Sequence, residues 1–246
     1  MKKFLIMLFF IATTNLAFAN SISSKEQFLE RIYELIEDEN TQILKEREFA
    51  LNTIKNNFFD LLNDEELRNK LIYIKEKYKI DNLYSTVEYD KKINVIPPSL
   101  ALAQAAVESA WGRSRFYKEA NNIFGHWTYD RNSGLIPKNR DLGKKHLIKI
   151  FPSLRESVQA YMLNLNRNKA YKEFQEQRYI ANLNSLKIDG LELSKTMNNY
   201  SGIAQKYLNI LESVILSNSL EEFDNRFFSI SSNDETQKEL LLVTTL

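Results

Sequence analysis

A mainly α-helical fold with a small β-hairpin lobe is predicted by three observations. The 246 residues include only 6 glycines and 4 prolines, too few for a turn-rich all-β fold. Apolar residues recur at helical spacing through most of the chain, as at Ile32, Leu35 and Ile36. One stretch, 113–152, loses that periodicity and gathers the turn residues Asn132-Ser133-Gly134, Pro137 and Gly143. The length suits one domain of ordinary size plus an extension. A content of 43% hydrophobic and 26% charged residues is that of a soluble globular protein.

Residues 1–19 stand apart. Lys2 and Lys3 make a basic start, 4–12 is an apolar run, and Ala17-Phe18-Ala19 is a small-x-small cleavage site. This pattern predicts a secretory signal peptide cut between Ala19 and Asn20, hence an exported, periplasmic chain. A membrane anchor fits less well, because the apolar run is short, and none is expected after cleavage. The chain has no cysteine, which excludes a lipidated N-terminal cysteine and any disulfide. Cleavage removes two lysines and leaves 31 basic and 32 acidic side chains, a formal charge of −1. That balance points away from nucleic acid and toward an uncharged or weakly charged partner.

Residues 20–90 read as amphipathic helices. Ile43, Leu44, Phe49, Ile54, Phe58 and Leu62 make one stripe, and Leu67, Leu71, Ile74 and Tyr78 another. They are expected to form a helical N-terminal layer packed on the main domain, 91–220. Pro97-Pro98 ends what precedes it and opens a helix over about 99–110, with Gly112 as the stop signal. Short strands are expected within 123–129 and 147–151. Ser153-Leu154-Arg155-Glu156 is a capping box, and Val158, Tyr161, Met162 and Leu165 share one face of the helix it opens. Further helices are expected over 168–178, 189–198 and 203–220. The tail, 221–246, shows no clear signal from Arg226 onward.

Within 102–112, Leu-Ala-Gln-Ala-Ala-Val-Glu-Ser-Ala-Trp-Gly, Glu108 is one acid near the end of a helix of small apolar residues. Burial there disfavours its charged form, and the negative end of the helix dipole adds a little. A carboxyl held protonated near neutral pH can donate to a leaving oxygen, as glycosidic cleavage requires. The helix pattern alone equally fits a half-exposed glutamate at a helix end. Thirteen residues on, Asn121-Asn122-Ile123-Phe124-Gly125-His126-Trp127 combines amides that hydrogen-bond sugar hydroxyls with rings that stack on sugars. It also fits a turn followed by a core strand with Phe124 buried.

Four blocks in order, Pro-Pro-Ser-Leu-Ala-Leu-Ala-Gln-Ala-Ala-x-Glu-Ser-Ala-Trp-Gly, Asn-Asn-Ile-Phe-Gly-x-Trp, Glu-Ser-Val-x-Ala-Tyr-Met-x-Asn-Leu-Asn and Tyr-Ser-x-x-x-x-x-Tyr, cover about residues 90–215. Together they resemble the Bax-type glucosaminidases, which are similar to the β-N-acetylglucosaminidase domains of glycoside hydrolase family 73. The resemblance implies a lysozyme-like helical domain with a β-lobe, acting on peptidoglycan glycan strands after N-acetylglucosamine. It matches Glu108 to the general acid and Tyr200 to a tyrosine lining the catalytic centre. Asn122, Phe124 and Trp127 fall in the block beside the cleft, and Ser109 flanks the acid, so all four are expected to shape or bind the substrate site. The family often assigns a lobe glutamate as second carboxylate, and the Bax-type pattern carries a His-Glu pair there. Here His146 is followed by Leu147. Asp141, with Asp130 behind it, is the remaining candidate, unless the substrate's own N-acetyl group supplies the nucleophile.

His126 and His146 lie twenty residues apart with no third ligand in a recognisable pattern, so no metal and no cofactor is expected. A monomer is expected. Two alternatives remain open: a lytic transglycosylase, whose Gly-Leu-Met-Gln block is absent, and a non-catalytic cell-wall-binding protein of the same fold.

Overall fold

The computed structural model describes residues 2–57, 59–137, 145–184, 186–203 and 205–233, with side chains from 24 to 229 within them. The fold is mainly α. In chain order it comprises α1 (Lys2–Asn56), α2 (Asp60–Asn63), α3 (Glu65–Tyr78), α4 (Thr86–Lys92), α5 (Pro98–Ser109) and α6 (Arg115–Ala120). A small sheet of β1 (Trp127–Thr128), β2 (Gly134–Leu135) and β3 (Leu147–Lys149) follows. The chain continues with α7 (Leu154–Arg167), α8 (Lys172–Leu183), α9 (Gly190–Ser194), α10 (Gln205–Ser217) and α11 (Glu221–Asn233). No helix among the described residues is long and apolar enough to cross a membrane. The expected signal segment lies in the part of α1 whose side chains are outside the described residues, and residues 234–246 lie outside them altogether.

Helix α5 is the axis of the core. Of its side chains, Pro98 through Ala106 are all buried, and α1, α9, α10 and α11 pack around it. Such an all-round apolar helix is stable only when enclosed. The buried cluster runs without a break from Phe28 and Ile36 of α1 to Leu211 of α10 and Phe227 of α11, so the N-terminal helices and the later ones share one core. The unread end of the chain is therefore partly structural: α11 supplies the wall that closes α5.

The start of α5 is fixed from outside. Pro97 gives no side-chain cap. The buried carboxylate of Asp224, in α11, takes its place: Oδ1 accepts from the Ser99 backbone N–H at 2.7 Å and Oδ2 from the Ser99 hydroxyl at 2.6 Å. Orphan N–H groups and the positive end of the helix dipole both favour an acid here. Oδ2 also accepts from the Gly190 N–H at 3.2 Å, which brings the first residue of α9 against the same point. The extended segment before α5 is clamped from two sides. Asn40 of α1 exchanges two hydrogen bonds with the Ile96 backbone, at 2.9 and 2.8 Å. The fully buried Arg178 of α8 donates to the carbonyls of Asn94 and Val95 at 3.0 and 2.9 Å.

The lobe differs from the expected hairpin. β3 is the central strand, paired antiparallel with β1 (Trp127 opposite Ile148) and with β2 (Leu135 opposite Ile148). All three strands are two or three residues long; β1 and β3 are shorter than the stretches the sequence predicts, and β2 is not predicted.

Candidate active site

Helix α5 ends one residue past Glu108 in a Schellman arrangement. The Ala110 N–H donates to the Val107 carbonyl and the Trp111 N–H to the Ala106 carbonyl, at 3.4 and 2.9 Å. Ala110, Trp111 and Gly112 follow one another in the left-handed region, with φ of 51°, 59° and 73°. Two of the three carry a Cβ, so the turn stores strain, about 1–3 kcal/mol per residue. The Trp111 ring is held by the edge of Phe28 at 6.2 Å and by the Lys25 ammonium 4.5 Å above it. This turn reverses the chain and lets the 121–127 segment fold back onto Glu108.

Glu108 is half-buried. Desolvation raises its carboxyl above the usual carboxylate range, opposed by a hydrogen bond from the Tyr207 hydroxyl. Among the described residues no cation pairs with it. Gly125, at φ +68°, lies directly beside it, and a Cβ there would stand 3.5 Å from Glu108 Oε2. Only glycine holds this conformation without strain.

Three tyrosines, Tyr161, Tyr200 and Tyr207, face the acid, and a fourth, Tyr171, packs behind Tyr200. Tyr207, on the first turns of α10, stacks flat on Tyr200 with centroids 5.6 Å apart. Tyr200 is half-buried, donates its hydroxyl to the Phe124 carbonyl at 3.3 Å and meets Tyr161 and Tyr171 at 6.3 and 6.2 Å. The fully buried Tyr161 of α7 stacks on Phe124 at 3.8 Å. Tyr161 donates to Gln104 Oε1 at 2.6 Å, and Gln104 Nε2 donates to the Tyr207 oxygen at 3.1 Å. Burial drives the Tyr161, Tyr200 and Tyr207 hydroxyls upward, with the Glu108 charge adding in each case, so all three stay protonated donors.

The expected binding residues separate into two kinds. Ser109 is buried, donates its hydroxyl to the Ala105 carbonyl at 2.6 Å and accepts from the Gly112 N–H at 2.8 Å. It closes the helix end. Asn122 is also buried: Nδ2 donates to the His126 and Lys149 carbonyls at 2.9 and 2.8 Å, and Oδ1 accepts from the His126 N–H at 3.0 Å. Asn121 likewise donates to the Phe151 carbonyl at 3.0 Å. Both amides satisfy lobe backbone that such short strands leave unpaired. Phe124 is buried in its stack on Tyr161 and supports the site from beneath. Trp127, by contrast, is 62% exposed, with one face on His146 at 4.2 Å. Asp141 lies outside the described residues. Asp130 is exposed and caps its own turn, accepting from Asn132 N–H at 2.9 Å and Ser133 at 2.7 Å. Glu156 accepts from the Ser153 hydroxyl at the start of α7.

Tyr207, Gln104 and Tyr161 were not singled out as site residues from the sequence. The signals were present: Tyr207 ends the Tyr-Ser-x-x-x-x-x-Tyr block, and Gln104 stands one turn before Glu108, on the same helix face.

The sequence profile of a glucosaminidase family, described as mannosyl-glycoprotein endo-beta-N-acetylglucosaminidase, matches residues 83–220. Among curated proteins, Protein bax of Escherichia coli (strain K12) is 27% identical over 192 residues, covering 76% of this chain and 67% of the relative. No solved structure gives a significant match. The matched stretch includes α5, the lobe, α7 and α10, and with them every residue placed around Glu108. More than half of the chain carries the family's sequence pattern, and the protein belongs to the glucosaminidase family.

Proposed function

We propose that this chain is an exported peptidoglycan hydrolase that cleaves the β-1,4 bond after N-acetylglucosamine, with Glu108 as general acid. The observation that carries this is the state of Glu108: half-buried, raised by desolvation, and bonded to a neutral hydroxyl rather than to a cation. A carboxyl so placed keeps its proton to higher pH than an exposed glutamate and transfers it to the glycosidic oxygen as the bond breaks. Positive charge then develops at the anomeric carbon. A two-carboxylate mechanism needs a second acid across the sugar. Asp141, Asp130 and the N-acetyl oxygen of the substrate are the candidates for that role. Tyr200 backs the reacting acid by fixing Tyr207 in its stack.

Mass spectrometry of purified sacculi digested by the protein tests this reading. New reducing-end N-acetylglucosamine is expected. Anhydro-N-acetylmuramic ends would instead make the protein a lytic transglycosylase. Sacculus binding with no soluble fragments, identical in Glu108→Gln, would make it a wall-binding protein. Sequencing of the exported protein is expected to begin at Asn20.

A further inference from the structure

We propose that Tyr161 and Gln104 are positioning residues that fix the direction of a hydrogen-bond chain ending on Glu108, so that the Tyr207 proton always points at the reacting carboxyl. The proposal rests on Glu108 acting as the acid and extends that reading to what controls it.

The argument is one of donors and acceptors. A tyrosine hydroxyl has one proton, and a primary amide has an accepting and a donating end. Tyr161, enclosed on all sides, donates to Gln104 Oε1 at 2.6 Å. That contact commits the buried amide: its oxygen faces α7 and its nitrogen faces α10. Nε2 then donates to the Tyr207 oxygen at 3.1 Å. With its lone pair occupied, Tyr207 directs its own hydrogen to Glu108. Reversing any link turns all of them, because an amide flipped to present oxygen to Tyr207 would take the proton that Glu108 now receives. Gln104 and Glu108 are one helical turn apart, so a single straight helix presents both to Tyr207. The stacks of Tyr161 on Phe124 and of Tyr207 on Tyr200 fix both hydroxyls in place. The titratable groups that face Glu108 are Tyr207 from α10, Tyr161 from α7 and Tyr200 from the turn before α10; none is charged.

The chain stabilises the ionised form of Glu108, the form produced as the proton leaves. Burial alone would hold the proton too firmly, and the Tyr207 donor offsets part of that effect. The sign follows. Glu108 works protonated, so activity is lost as pH rises through its pKa. Removing a donor to the carboxylate raises that pKa and moves the alkaline limb of activity to higher pH.

The test uses the full mature chain with two readouts: the pH profile of sacculus hydrolysis and the carbon-13 titration of the Glu108 carboxyl. Tyr207→Phe is expected to move both upward by about one to two pH units, the loss of one hydrogen bond to a charged group. Tyr161→Phe, which deletes one oxygen far along the chain, is expected to move both upward by about 0.3 unit. In the double variant the Tyr161→Phe increment is expected to vanish, because its effect passes through the Tyr207 hydroxyl. A general loosening of the core would instead add to the Tyr207→Phe effect or leave the titration unmoved. Gln104→Met, similar in volume, should match Tyr161→Phe and keeps the test open if that variant does not fold. A Glu108 titration that stays put in folded Tyr161→Phe or Gln104→Met overturns the proposal, even with hydrolysis intact. Shifts that appear in the titration while the wild-type protein releases no fragments uphold the chain and sink the enzymatic reading alone.

Discussion

The two sides of the site are built on opposite plans. On the helical side, Gln104, Tyr161, Tyr200 and Tyr207 project from packed or capped elements and satisfy one another, leaving a proton aimed at Glu108. On the lobe side, Asn121 and Asn122 spend their amides on backbone, and the side chains left over, Trp127 at 62% exposure and Tyr129 at 76%, are apolar rings facing outward. On the proposed reading the two plans serve two tasks, proton transfer and sugar binding. Proton transfer needs geometry held within fractions of an ångström, which enclosed helices provide. Holding a sugar ring needs an exposed flat face, which a small sheet can offer without a core of its own.

Glu108→Gln should have the largest effect. The amide keeps an oxygen for Tyr207 and nearly the same shape, so the fold is expected to hold while the transferable proton is gone. Loss of kcat should be about 10²–10⁴-fold, read as fragment release from sacculi, with circular dichroism unchanged. An active Gln variant would remove chemistry from the helical side altogether.

Gly190→Ala tests whether the aim of α5 depends on its distant cap. A Cβ at Gly190 would stand 2.0 Å from Ser99 Oγ, 3.0 Å from the Leu100 nitrogen and 3.0 Å from Pro97 Cβ. The backbone contact cannot rotate away, so the Asp224 cap and the α9 docking must separate. A loss of about 2–3 kcal/mol is expected, measured by urea unfolding. The same exchange at Gly202, where nothing lies within 4 Å, is the control and should fall within about 0.5 kcal/mol. Equal effects at the two glycines would show that the α5–α9 approach is not under the constraint described.

Much of the helical side was legible in the sequence, because propensity and burial agree there. Pro97-Pro98 and the run of small apolar residues place a helix over about 99–110, and α5 spans Pro98–Ser109. The stop fell earlier than Gly112 suggested, since Ala110 adopts the left-handed turn that glycine usually takes. The sequence reading picks out Tyr200 and not Tyr207, although both stand in one block. Which of two tyrosines reaches the acid depends on where α10 begins and which face it packs, and neither is encoded in local periodicity. The amides are ambiguous for a related reason. Asn122 looks the same whether its partners are sugar hydroxyls or orphaned carbonyls, and irregular backbone supplies the latter only once the lobe has formed. β2 left no pattern because two residues, one of them Gly134, are too few to alternate. α11 went unread beyond Arg226, although Asp224 and Phe227 turn out to close the core.

Asp141→Asn addresses the lobe's share in chemistry. The substrate's N-acetyl group and Asp130 are the alternatives to Asp141 for the second role. Asp141→Asn should then lower kcat by about tenfold or less, ~1.4 kcal/mol in barrier, well below the effect of Glu108→Gln. Equal losses would make Asp141 an obligatory partner and extend the chemical side of the site onto the lobe.

The smallest effect is expected at Trp127, and it is the sharpest test of the division. One face of its ring lies on His146 at 4.2 Å and 19°, and most of the rest meets solvent. A sugar stacked on the exposed face gains about 0.5–1.5 kcal/mol. Binding of this kind acts equally on the bound substrate and on the transition state, so its removal raises KM and spares kcat. Trp127→Ala should therefore raise KM about 2–10-fold, with kcat within twofold and unfolding free energy within about 0.5 kcal/mol. Trp127→Phe, which keeps a smaller flat face, should recover part of the KM change. A fall in kcat instead, measured at saturating glycan, would mean that the ring positions the scissile bond against Glu108, and that the lobe shares the catalytic geometry with the tyrosine cluster.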